Sequence, residues 1–431
     1  MGAQSTTDGA RAGTPFSPRV AAFLVAEALS TVGSWATLVA IWGYAAFKYG
    51  ATPGEVALFG IAFALPGLVL GPVAGAVVDR LGPKVTLGAA KALGIGAALA
   101  LLAADDFRTL ALLSALHGAV STFSHPALQS MPPRLVDDTH LARTNALVSL
   151  TDELAIVLGP VAAGVGIGLF GFRGAFVFDA VTYAVGLAVL PVVRLAPVAG
   201  TGADGDDAAP AGFRDALEGW RLIVHTGVLR RVVACTFVVH LLYGAALLAE
   251  PLYVRDVLHR SPGVFAALQT VFGLCLVGGG VVAAKLGDRV ASFRFVALGV
   301  GISGITAVIY LGTPWVAVSF AGVALWGVAT AVIGGPSRTV LHRATPQRAH
   351  GRVLAADLVA GSGAELLGVA AAGVLVGAFG VRWTILGLGM VVAGWAAALL
   401  AADQRAGRAS KPHDERRPAP FRQEASVDRA G

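Results

Sequence analysis

The sequence predicts an all-α polytopic membrane protein of twelve transmembrane helices in two parallel six-helix repeats, with the N- and C-termini cytoplasmic. Three observations carry this prediction. Hydrophobic residues make up 56% of the 431 residues and charged residues only 13%, a balance far from that of soluble domains. Apolar runs of about 20 residues, enough to cross roughly 30 Å of hydrocarbon, follow one another between short polar joints. Most of the 32 Lys and Arg fall on alternate joints, as the positive-inside rule requires when both chain ends are cytoplasmic. The net charge of +6 is therefore topogenic, and no nucleic-acid partner is implied.

Taken in order, the spans lie near residues 20–47, 54–78, 85–104, 108–130, 145–170 and 174–195, and then 230–254, 264–286, 293–312, 315–340, 353–379 and 382–402. They divide the chain into a cytoplasmic tail at 1–18, a six-helix bundle at 19–195, a cytoplasmic linker at 196–229, a second bundle at 230–403 and a tail at 404–431. The apolar run after the first tail is too long for a signal peptide and reads as a retained span. The last tail, rich in Arg, Pro and acidic residues, reads as disordered. The linker opens with AGTGADGDDAAPAG and continues as FRDALEGWRLIV, where Phe213, Leu217, Trp220 and Val224 share one helical face; such a helix lies on the inner membrane surface. Cys235 and Cys275 sit within apolar runs, so neither a disulfide framework nor metal-ligand spacing is present, and no cofactor or metal is expected.

A repeat joins the two bundles. Asp79-Arg80 matches Asp288-Arg289, Gly164 matches Gly373 and Arg173 matches Arg382, all at one offset, and AAGVGIGLFGFR returns as AAGVLVGAFGVR in the same orientation. Parallel repeats of six helices place a substrate site near the midplane between the halves.

The stretch GPVAGAVVDRLGPK, residues 71–84, resembles the cytoplasmic loop signature GxxxDRxGxK of the major facilitator superfamily of transporters. GSW at 33–35, PRLVDDTHLARTNAL at 133–147, FVFDAVTY at 176–183 and PLYVRDVL at 251–258 resemble one bacterial efflux branch, which includes enterobactin-type siderophore exporters and macrolide efflux proteins. The resemblance implies a conformational latch at Gly75, Asp79, Arg80, Gly82 and Lys84, with Asp79 near the N-terminal end of the eleventh helix, against the plainer alternative of a basic turn obeying positive-inside. Gly67, Gly71 and Gly75 would let a neighbouring helix approach closely. The second copy keeps Asp288 and Arg289 but has Ala291 and Phe293 where the first has Gly82 and Lys84, so any latch should depend more on the first loop. LGPVAAG at 158–164, with Gly159, Pro160 and Gly164, resembles part of the antiporter signature of the fifth helix. It reads either as that signature or as a generic kink that allows close packing.

Candidates for chemistry come from polar residues inside spans. Glu27 shares a helical face with Ser30, Thr31, Ser34 and Thr37, with Tyr44 at the edge. A carboxylate there faces a wet cavity as a proton-coupling site, or sits near the inner interface paired or reaching water. On the fourth span Ser114, His117, Ser121 and His125 share a face, and either His is a proton carrier or a satisfied interior group. Asp152 lies early in the fifth span, Asp179 within the sixth, and Glu250 on the seventh, next to Pro251, where it reads as close to the outer surface. The proton-coupling candidates are Glu27, His117, Asp152 and Asp179. The cavity candidates are Ser34, Trp35, Thr37, Tyr44, Ser121, His125, Tyr243 and Trp326. Lys91 stands apart as the Lys inside a span.

An enzyme is excluded on sequence grounds. GISG at 301–304 matches a serine-protease pattern, but no His lies in a later apolar span and no HExxH occurs. The expectation is proton-coupled efflux of an amphipathic small molecule, a drug or antibiotic, by alternating access in a bacterial cell membrane. The alternative is a dedicated exporter of an endogenous siderophore or secondary metabolite. The partners are a small-molecule substrate, protons and the lipid bilayer, and the expected state is a monomer.

Overall fold

The computed structural model describes residues 17–136, 138–193, 195, 213–346 and 349–409. The expectations for the two tails beyond residues 16 and 409, and for AGTGADGDDAAPAG, lie outside the described residues. The helices are α1 Pro18–Tyr49, α2 Pro53–Leu81, α3 Pro83–Ala100, α4 Phe107–Ser121, α5 Ser124–Gln129, α6 Pro132–Leu135, α7 Asp138–Val189, α8 Phe213–His225, α9 Gly227–Asp256, α10 Pro262–Leu286, α11 Phe293–Leu311, α12 Val316–Ala344 and α13 His350–Ala409.

Local chemistry sets the helix ends. Pro stands in the first turn of α1, α2, α3 and α10, where its missing N–H costs nothing. Thr52 and Glu55 form a capping box at the start of α2. Asp106 accepts from the Thr109 N–H at 2.7 Å at the start of α4, and that bond holds its carboxyl below the usual range. Gly82, at φ 82° and ψ 150°, ends α2 and starts α3 in one residue. The loop signature is thus a one-residue corner between two helices, in a left-handed conformation that favours glycine.

Among the described residues, nine helices are long and apolar enough to cross a membrane. Two of these run to about twice the needed length, and each is broken once by a left-handed glycine: Gly171 in α7 (φ 70°) and Gly380 in α13 (φ 78°). These glycines occupy corresponding places in the repeated segment. The apolar run at 108–130, expected as one span, is instead two shorter helices, α4 and α5. The Ser121 and Thr122 hydroxyls bond back to the carbonyls of His117 and Gly118, each at 2.9 Å, which bends a helix, and Pro126 supplies no N–H to straighten it.

The first half (α1–α7) and the second (α9–α13) meet tightly on one face, where α1 ends and α2 begins. Gly164 of α7 lies against the Ala266 carbonyl and Thr270 of α10, and Gly373 of α13 lies against Ala57 and Pro53 of α2. These contacts are mates under the repeat, because Ala57 and Ala266 correspond as Gly164 and Gly373 do. Phe47 and Phe265 add a ring contact at 6.1 Å across the same seam. The glycines that seat a helix of the other half, Gly43, Gly60, Gly164, Gly273 and Gly373, all lie toward this face, whereas at Gly71, Gly75, Gly278, Gly280, Gly334 and Gly335 toward the opposite face an added Cβ would meet nothing within 4 Å. The molecule is closed on the α1–α2 turn face and open on the face that carries GAVVDRLGPK.

Two further contacts involve the second half. α8 packs on the start of α13, with Gly219 against the Arg352 carbonyl and Glu218 bonded to Arg352 at 2.6 Å, while Trp220 and Val224 remain exposed. Asp403 binds Arg231 and Arg294, each at 2.7 Å, tying the ends of α9, α11 and α13 together.

Candidate functional site

A cavity of about 270 Å³ opens within the first half. α1 contributes Glu27, Ser30, Thr31, Ser34 and Trp35, α3 contributes Lys91, α4 and α5 contribute His117, Ser121 and His125, and α7 contributes Asp152 and Tyr183. The helical repeat explains the α1 contribution, because residues three and four apart stack on one face. Phe63, Leu38 and Leu128 supply apolar wall.

Two acid–base pairs adjoin this cavity: Glu27, Lys91 and His117 line it, and Asp179 is buried beyond His117 and Ser34. Glu27 Oε2 is 2.8 Å from Lys91 Nζ, with both side chains no more than 3% exposed. Lys91 also donates to Ser30 Oγ at 2.9 Å and lies 5.5 Å from the centre of the Tyr183 ring. Neither charge would be tolerable at this depth without the other. In the second pair, Asp179 Oδ2 lies 3.5 Å from His117 Nε2, both fully enclosed. That separation lacks hydrogen-bond geometry, and Asp179 Oδ2, His117 Nδ1 and Glu27 Oε1 have no hydrogen-bond partner among the described residues. Hydroxyls border each pair, Ser30 at Lys91 and Ser34 at Asp179. Ser34 Oγ is within hydrogen-bonding distance of Asp179 Oδ1 (3.2 Å) and of Tyr183 OH (3.0 Å), and Tyr183 OH reaches Ser121 Oγ at 3.2 Å. Ser34 carries one proton, so it can serve only one of its acceptors at a time.

Of the sequence candidates, the structure brings together Glu27, Ser34, Trp35, His117, Ser121 and Asp179. His125 and Asp152 stand 3.4 Å apart at the more exposed rim, where Gln129 also donates to Asp152 at 3.4 Å. Thr37 is fully buried and donates to the Ala175 carbonyl at 3.4 Å, packing α1 on α7. Tyr44 lies at the closed face, bonded by Lys48 (2.7 Å) and Arg173 (3.3 Å). Tyr243 and Trp326 pack together in the second half, ring centres 5.8 Å apart, with Tyr243 donating to Thr330 at 3.2 Å. Under the repeat these three correspond to Ser34, His117 and Ser121, so the second half carries aromatic bulk where the first carries the polar cluster.

The latch and kink residues are placed as follows. Asp79 and Arg80 are exposed and have no ion pair among the described residues, Gly75 faces open space, and Lys84 donates to the Val193 carbonyl at 2.6 Å. Arg289 is exposed, and the Asp288 side chain lies outside the described residues. Gly159 admits Trp35, Gly164 admits α10, and Pro160 sits inside α7, whose non-helical residue is Gly171 instead.

Two site residues escaped the sequence reading. The sequence marks Lys91 as an intramembrane cation but carries no local sign that it pairs with Glu27. Tyr183 lay in FVFDAVTY one helical turn beyond Asp179, a spacing that puts both on one face. Glu250, read from the sequence as close to the outer surface, is buried within the protein about two turns before the end of α9 at Asp256.

Two related helical halves that meet on one face, with a buried acid–base cluster inside the first, are the frame of a membrane transporter, and the family match agrees. The chain belongs to the Major Facilitator Superfamily, whose family model matches residues 23–356 and 232–429. It is similar to the uncharacterized MFS-type transporter YfiS of Bacillus subtilis (strain 168), 28% identical over 160 residues, covering 36% of this chain and 38% of that one. The uncharacterized MFS-type transporter y4rN of Sinorhizobium fredii is 25% identical over 329 residues, 72% of this chain and 77% of that one. Among solved structures, a bacterial homolog of the human lysosomal transporter Spinster, inward-facing and unoccupied, superposes with a TM-score of 0.70 at 16% identity, covering 90% of this chain and 97% of that one. A POT family transporter in complex with 5-aminolevulinic acid superposes with a TM-score of 0.65 at 12% identity, covering 90% and 96%. At these identities the structures speak for the fold alone.

Proposed function

We propose that the protein is a proton-coupled exporter of an amphipathic small molecule, a drug or antibiotic, working by alternating access as a monomer in a bacterial cell membrane. The observation that carries this is the close grouping of two buried acid–base pairs beside one cavity, Glu27–Lys91 with Ser30 bonded to the lysine and Asp179–His117 with Ser34 bonded to the aspartate. A carboxylate beside an imidazole can take up a proton with little movement, and the loss of charge changes the relative stability of the two orientations. The mixed wall of Trp35, Phe63, Leu38 and hydroxyls suits a substrate with both apolar and polar surface.

In this reading the chain spans the membrane twelve times. α7 and α13 each count twice, split at Gly171 and Gly380, and α4 with α5 forms one broken span. Both ends and the open face are then cytoplasmic. Asp79 is the latch of the opposite orientation, exposed here because its face is open, and Gly75, Arg80, Gly82 and Lys84 shape and orient that loop.

The test has two stages. Comparing compounds retained by cells with and without the protein identifies the substrate. That compound should then accumulate in inside-out vesicles when the lumen is made acid, and collapsing the pH gradient should abolish the accumulation. Accumulation indifferent to the gradient would remove proton coupling, and concentration of the compound inside cells would reverse the direction.

A further inference from the structure

We propose that Arg255 is a gate residue, a clasp that holds the closed face of the transporter shut by binding the main chain of the opposite half. The site is built at the end of α1. There Gly50 takes a left-handed conformation and its N–H, with that of Ala51, turns back to the Ala45 carbonyl. The carbonyls next in line have no helical partner, and the end of a helix carries partial negative charge. Arg255 Nη1, from the last turn of α9 in the other half, donates to the Ala46 carbonyl at 2.7 Å and the Ala51 carbonyl at 3.0 Å. The rest of its fork is held by the neighbouring Asp256, Nε to Oδ1 at 2.6 Å and Nη2 to Oδ2 at 2.9 Å. A planar guanidinium gripped along one edge by a carboxylate presents its remaining nitrogen in a set direction. That direction is across the seam.

The position of the contact gives it its role. Ala46 and Arg255 are equivalent in the repeat, so they meet where the two halves face each other. The neighbouring contacts across the seam, such as Phe47 on Phe265 and Gly273 on Val157 and Val161, are apolar or close-packed and weaken gradually as surfaces part. Charge-assisted hydrogen bonds to two carbonyls are directional and are lost within a short displacement. Opening this face must separate the end of α1 from α9, so the clasp is made in the closed-face state and broken in the other. Because the equivalent of Arg255 in the first half is Ala46, the device exists on one half only. The inference requires a transporter that alternates and is independent of substrate, direction and coupling ion.

Two cysteines report the equilibrium in protein reconstituted into lipid nanodiscs, with Cys235 and Cys275 replaced by serine. Thr270→Cys sits in the closed seam against Gly164, and Gly335→Cys sits at the open end. In Arg255→Met, the reaction of Thr270→Cys with a hydrophilic maleimide should rise about tenfold, the loss of a charge-assisted bond made in one state only, while that of Gly335→Cys falls. A loss of packing alone would not move the two rates in opposite directions. Arg255→Gln, which keeps an amide donor but neither the charge nor the full reach, should show the same pattern and decides the matter if Arg255→Met does not fold. Folded Arg255→Met, or in its absence folded Arg255→Gln, with wild-type rates at both cysteines would overturn the proposal.

Discussion

Lys91→Met should destabilise the protein by about 3 to 5 kcal/mol, and the double variant Glu27→Gln/Lys91→Met should regain most of that loss. The pair is enclosed, with Nζ and Oε2 at 2.8 Å and both side chains no more than 3% exposed. Removing one partner leaves the other charge buried without compensation, whereas removing both leaves groups that tolerate the same surroundings. Glu27 has one escape, which is to hold a proton, so the deficit of Lys91→Met should shrink in acid. Glu27→Gln alone should also be less stable, because an amide oxygen can still accept from Lys91 but the buried ammonium loses its counter-charge. Thermal unfolding of the four proteins in one detergent measures this. Losses that simply add in the double variant would mean that Glu27 and Lys91 are not coupled.

Gly164→Val and Gly373→Val should each reduce transport below about a tenth of wild type, the shift expected from roughly 1.4 kcal/mol against the closed-face state. At either site an added side chain would run into the facing helix: the Ala266 carbonyl and Thr270 for Gly164, Ala57 for Gly373. Both contacts lie between the halves, so the internal packing of each bundle is left intact. Since the two glycines are repeat mates, both variants should also speed the labelling of Thr270→Cys to a similar degree. If one variant transports normally and the other fails, the seam is not shared symmetrically between its two crossings.

Much of this arrangement could be read from the chain, for identifiable reasons. Hydropathy reports how well a segment suits lipid, so it located the long helices. The duplication predicted that Gly164 and Gly373 are equivalent, and they occupy matching sides of one seam. The 3.6-residue period placed Glu27 with Ser30, Thr31 and Ser34, and the same logic on the fourth span brought His117 and Ser121 to the same cavity. It failed for Tyr44 because Tyr44 is more than four turns along α1 from Glu27, at the closed face. It failed for the fourth span as a whole because hydropathy does not register hydroxyls bonding back to carbonyls at Ser121 and Thr122. The pairing of Glu27 with Lys91 depends on the relative depth of two helices that are not consecutive, which no local pattern encodes. Arg255 is the extreme case. Its partners across the seam are main-chain carbonyls, and alanine at positions 46 and 51 gives no sign of them.

The central claim is that the cluster around Asp179 couples protons to transport. Asn at this position keeps the volume of the side chain and a polar contact for Ser34, but it cannot gain or lose a proton. The direct measurement is made in inside-out proteoliposomes with the compound selected by cell retention, comparing exchange of labelled for unlabelled compound with accumulation driven by an acid lumen. Asp179→Asn should exchange at a rate close to wild type and accumulate nothing above equilibrium. Accumulation by Asp179→Asn equal to wild type under the same gradient would contradict the account.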